Sequence, residues 1–148
     1  MNISNNKGFT LMEVVAVLII LGIVAAVAVS RVGSSNNDLV PQADIVKSHL
    51  RFAQIRALSS DDLAVWRVTF LTGSYSIFCT GAKCPASIQL PGEDSITHTF
   101  PAGVSITPLT VTYDRWGSPG AAAISLTLSQ AGQTATLNVA ANTGYITP

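Results

Sequence analysis

A chain of 148 residues allows one compact domain plus an appendage. Eight basic and eight acidic side chains cancel to a formal net charge of zero, and charged residues are only 11% of the total, which argues against the basic footprint of a nucleic-acid-binding protein. With 48% hydrophobic residues the chain also lies outside the composition of intrinsic disorder.

The apolar content is concentrated at the start. Residues 1–8 read as a polar leader and residues 9–32 as one apolar helix. Between Phe9 and Val29 the only ionisable group is Glu13. As a helix this stretch is about 31 Å long, enough to cross a bilayer's hydrocarbon core. Lys7 precedes it and Arg31 follows it, so flanking charge orients it only weakly. The short leader favours a cytoplasmic N-terminus, because little chain lies upstream to be translocated. A carboxylate inside such a run is costly unless it is paired or lies near the interface.

GSSNNDLVP, residues 33–41, reads as a break, since Gly33 and the Asn36-Asn37-Asp38 run are unfavourable in a helix interior. An amphipathic helix is then expected over Ala43–Ser60. Ala43, Val46, Leu50, Ala53 and Ala57 recur at spacings of three and four, and Ile45, Phe52 and Ile55 widen the apolar face. Lys47 and Arg51 lie on a more polar side that reads as solvated.

After Ser60 the texture becomes β. Strands are expected over Leu63–Leu71, Tyr75–Cys79, Ile96–Phe100, Leu109–Asp114, Ala122–Ser129 and Thr134–Ala141. Thr72-Gly73-Ser74 and Ala131-Gly132-Gln133 make two of the connections hairpins. The domain organisation expected is therefore a leader (1–8), an apolar helix (9–32), a linker with an amphipathic helix (33–60) and a β-rich domain (61–148). The fold class is α+β: a long N-terminal helix, broken near 33–41, whose C-terminal half packs on an antiparallel sheet.

Two cysteines, Cys79 and Cys84, read as a disulfide if this domain is exported. No second cysteine pair is present and His49 and His98 show no ligand spacing, so neither a metal site nor a cofactor is expected. Both histidines read as solvated or core-edge groups. No G-x-S-x-G, H-E-x-x-H or phosphate loop occurs, and no enzyme activity is suggested. Trp116, in the turn Asp114-Arg115-Trp116-Gly117, reads as a ring folded back on the sheet, with an interaction anchor as the alternative.

Two export routes compete at the N-terminus. Ala26-Val27-Ala28 has the small residues of a signal-peptide cleavage site, but Glu13 at the start of the apolar run weakens that reading. Gly8-Phe9-Thr10-Leu11-Met12-Glu13 instead resembles the processing site of the type IV pilin and type II secretion pseudopilin superfamily. That pattern is a short leader ending in Gly, then Phe-Thr-Leu, any residue, Glu, and a long apolar run. The resemblance implies cleavage between Gly8 and Phe9 by a prepilin peptidase and N-methylation of the new Phe9 amine. It also implies anchorage in the inner membrane, N-terminus cytoplasmic and globular domain periplasmic. Assembly with other pilins or pseudopilins then follows through the N-terminal helix. In this family the acid at the position of Glu13 is thought to pair with the Phe9 amine of a neighbouring subunit. A contact with the amine of the same helix is the alternative, and the residues leave both open. Unlike many major pilins, the chain has no proline before Pro41.

Beyond residue 32 the resemblance is thinner. Arg51–Ser59, Tyr113–Gly120 and Asn138–Ile146 resemble minor pilins and pseudopilins of the secretion pseudopilin H, FimT and MSHA pilin C types. This implies a low-abundance subunit of a pilus or secretion pseudopilus. The alternatives are an exported binding domain, or a tip subunit acting as adhesin or DNA receptor. Nothing after Arg115 is basic, so no nucleic-acid partner is expected.

Overall fold

The computed structural model describes residues 10–32, 38–60 and 64–148, with side chains described as far as Val27 in the first stretch. The chain divides into two compact units, Met1–Ser35 and Asn36–Pro148. The first contains helix α1, Leu11–Val32. The second contains helix α2, Leu39–Leu58, and eight strands.

Helix α2 starts earlier than its apolar spacing suggests, and Pro41 sits in its first turn rather than in the break. The physical reason is that N–H groups in a first helical turn have no intrahelical acceptor, so a residue without one loses nothing there. Leu39 is thereby drawn into the core. The buried face comprises Leu39, Ala43, Val46, His49, Leu50, Ala53 and Ala57. His49 joins this face, whereas Ile55, expected to widen it, is exposed.

The strands form two four-stranded antiparallel sheets rather than one. The first has the order β3-β2-β1-β5, built from β1 (Val65–Leu71), β2 (Ser74–Thr80), β3 (Thr97–Thr99) and β5 (Leu109–Tyr113). The second has the order β4-β6-β7-β8, built from β4 (Ser105–Ile106), β6 (Ile124–Gln130), β7 (Gln133–Val139) and β8 (Ile146–Thr147). Side chains alternate as a one-sided sheet requires. Trp66, Val68 and Phe70 of β1 are buried, and Val68 lies opposite Ile77 of β2 and Val111 of β5. In the second sheet Leu126, Leu128, Leu137, Val139 and Ile146 are buried. Helix α2 packs on β1 and β5 of one sheet and on β6 and β7 of the other, so a single core joins all three layers. The β6–β7 turn places Ala131 and Gly132 both at positive φ, which matches the right-handed twist of a two-residue hairpin.

The β2–β3 connection is held at several points. The Cys79–Cys84 disulfide closes its start, with the two Cα atoms 5.6 Å apart. Leu90 is buried in the core, and its N–H donates to Ser95 O at 2.9 Å.

Three segments, Arg51–Ser59, Tyr113–Gly120 and Asn138–Ile146, meet at one side chain. Gln54 of α2 donates from Nε2 to Gly117 O at 2.9 Å and to Thr143 O at 3.0 Å. Asn142 N–H donates to Gly120 O at 2.8 Å, tying the same two loops together. Gly144 has φ +65°, and a Cβ there would lie 2.2 Å from Gly117 O and 2.5 Å from Gln54 Nε2. Gly144→Ala therefore combines left-handed strain with a backbone clash, and should destabilise the domain by about 2 kcal/mol or more in urea unfolding. Gly73→Ala, with open space and no positive φ, is the matched control and should change stability little.

Candidate functional site

Two sites follow from the geometry: the N-terminus of α1, and a polar cluster beside α2.

Gly8 and Phe9, where processing is expected, lie outside the described residues. Glu13 is in the first turn of α1. Its backbone N–H donates to Thr10 Oγ1 at 3.3 Å and to Thr10 O at 3.1 Å. Thr10 thus caps the helix, and Glu13 takes the third helical position after it, the T-x-x-E spacing of a capping box. This role of Thr10-Leu11-Met12-Glu13 was readable from the spacing but was masked by the processing motif. An acid in the first turn also faces the positive end of the helix dipole. From Val14 to Val27 the helix carries only apolar residues and one glycine, and Leu11, Met12, Val14, Leu18, Leu21 and Val24 are all exposed. Among the described residues no helix is long and apolar enough to cross a membrane. The stretch expected to do so, Phe9–Val29, runs past residues 10–27, whose side chains are described, at both ends.

The second site gathers residues that sequence spacing kept apart. His49, on α2, is buried. Its Nδ1 lies 2.6 Å from Tyr75 Oη on β2, and its Nε2 lies 3.0 Å from Pro91 O in the β2–β3 connection. His98, on β3, contacts the Glu93 carboxylate through Nδ1 and lies 2.9 Å from Gln42 Oε1 through Nε2. The Tyr75 ring packs against His98 at 5.0 Å, Phe70 at 5.1 Å and Phe100 at 5.5 Å between centroids. Of the two environments read from sequence, solvated or core-edge, the histidines take the second: His49 is buried and His98 half-buried, and both are hydrogen-bonded. The reason is tertiary: α2 converges there on β2, β3 and the loop that joins them, and His49 is 26 residues from Tyr75 in the chain.

Burial holds the His49 imidazole below its ordinary pKa, against the opposing pull of the Pro91 carbonyl and the Glu93 carboxylate; nearby His98 acts with burial. Burial also raises the Tyr75 hydroxyl well above its usual range.

Trp116 is 69% exposed, not folded onto the sheet, with the Arg115 guanidinium 4.6 Å from its ring centroid. Tyr145 is exposed on the neighbouring loop.

The His49 shift has a consequence for stability. The unfolded chain takes up a proton near the ordinary value of 6.5 that the folded chain resists. Stability is therefore full above that pH and falls as pH drops below it. The urea midpoint should decline between neutral and mildly acidic pH, and His49→Gln should flatten that decline.

A scan against family models matches residues 3–29 to the prokaryotic N-terminal methylation motif. No curated protein and no solved structure matches the chain. The matched segment spans Gly8, Phe9 and Glu13 and ends within α1. The match covers 27 of the 148 residues and supports a likeness of that segment to the N-terminus of type IV pilin and pseudopilin precursors.

Proposed function

We propose that the chain is a minor pilin or pseudopilin, stored as a single-pass inner-membrane protein and then polymerised into a type IV pilus or a secretion pseudopilus. The prepilin peptidase cuts between Gly8 and Phe9 on the cytoplasmic side, and the new Phe9 amine is methylated. The domain beyond α1 lies in the periplasm, where oxidation of Cys79 and Cys84 is permitted.

The observation that carries this reading is Glu13 in the capped first turn of a helix whose apolar side chains are exposed all round. Such a helix needs a surrounding that its own first unit does not supply, first lipid and then the helices of other subunits. Gly22 has open space around it, which lets another helix approach closely. The Glu13 carboxylate needs a cation in the same surroundings. Cleavage creates one at Phe9, four residues away, and presents it to the chain's own Glu13 and to those of its neighbours.

Mass spectrometry of the protein purified from membranes tests the processing. A mature chain beginning at methylated Phe9 is expected, and one beginning at Val29 would establish signal-peptide cleavage instead. Glu13→Ala tests the pairing. Cleavage should persist, while the fraction of subunits recovered in sheared filaments should fall about tenfold or more, the ratio that about 1.4 kcal/mol produces. Normal incorporation of that variant would sink the ion-pair role.

A further inference from the structure

We infer that His49, Glu93 and His98 form a binding site for a divalent transition metal of the zinc type. These residues come from α2, the β2–β3 connection and β3. One coordinating atom from each lies within 4.8 Å of the others, the group of this kind found among the described residues.

The hydrogen bonds around the two rings dictate which nitrogens are left to bind. Pro91 O is a backbone carbonyl and can only accept, so the His49 imidazole donates to it from Nε2, which leaves Nδ1 as its remaining nitrogen. The side-chain amide of Gln42 lies against Nε2 of His98 and holds that ring with Nδ1 toward Glu93. A metal-ligating histidine typically shows this arrangement, with its outer N–H held by a carbonyl that sets ring orientation. On His49, Nδ1 faces the Tyr75 hydroxyl. On His98, Nδ1 faces the carboxylate of Glu93, which has only lone pairs to offer. Either an N–H on His98 Nδ1 or a metal ion satisfies that contact.

The donor chemistry selects the metal. Two imidazoles and one carboxylate suit zinc and its neighbours, and they disfavour magnesium and calcium, which take oxygen cages. Zinc binds nitrogen and carboxylate oxygen at about 2.0–2.2 Å, so a separation as wide as 4.8 Å must contract on binding. Glu93 can supply that movement. It lies in a turn just after Gly92, which has φ +81° and open space around it. Tyr75 Oη or a water would complete a four-coordinate set. A metal held there would fasten the β2–β3 connection to α2 at the end opposite the Cys79–Cys84 disulfide, so its role is structural.

The test uses the untagged full-length chain in detergent, stripped with a chelator and titrated with zinc chloride. Bound zinc is counted by elemental analysis, and thermal unfolding is followed in parallel. One zinc per chain and a raised Tm are expected. Cobalt in place of zinc should give the visible absorption of a four-coordinate site. Glu93→Gln and His98→Ala should each lower zinc affinity at least tenfold, while circular dichroism shows the metal-free variants still folded. His49→Ala is the weaker choice, since its burial couples binding to folding. Absence of zinc uptake, or uptake that both variants leave unchanged, would overturn the site and leave His98 and Glu93 as a proton-bridged pair.

Discussion

The burial of one face of α2 is the constraint on which the rest of the Asn36–Pro148 unit depends. Each four-stranded sheet has a single apolar face, and two such faces need a third element between their margins to close a core. Val46, Leu50, Ala53 and Ala57 provide it. Three of the seven buried positions on the helix are alanines, which let the backbone of α2 come close to the strands. The same helix then carries the polar groups that organise the loops. Gln54 fixes the two loops at one end, and at the other His49 reaches the β2–β3 connection and Gln42 reaches β3. Packing sets the helix position, and those side chains convert it into loop positions.

The α+β class, the hairpin partners and the long strands were legible because each is a local pattern. Val65–Leu71 and Gln133–Val139 alternate over seven residues, long enough for period two to be visible. β4 and β8 are two residues each and carry no period at all. The division into two sheets was not legible, since it depends on which strands pair across long separations. Pro41 misled for a different reason, because a proline marks a boundary from either side and favours the first turn as readily as the break. The N-terminal methylation motif was legible, since its specification lies within one short run of residues. The histidine cluster was not, because its members lie on separate elements and meet only when those elements fold.

Thr10 and Glu13 serve two demands with the same residues. Helix α1 must begin sharply if a new amino terminus is to lie close to a carboxylate, and the Thr10 cap defines that beginning. An amine at the start of a helix is disfavoured by the helix dipole, and an acid in the first turn offsets it. Glu13 therefore favours the helical first turn in the single chain, and under the proposed function it would also offer a partner to other subunits.

The margins of the two sheets bear on how such a chain behaves when many copies are crowded side by side. The outer strands are β3, β5, β4 and β8, of three, five, two and two residues. Prolines stand near their ends: Pro101 soon after β3, Pro108 between β4 and β5, and Pro148 directly after β8. Short edges bounded by residues without an N–H give a neighbouring strand little to pair with. Uncontrolled growth by sheet extension is thereby suppressed.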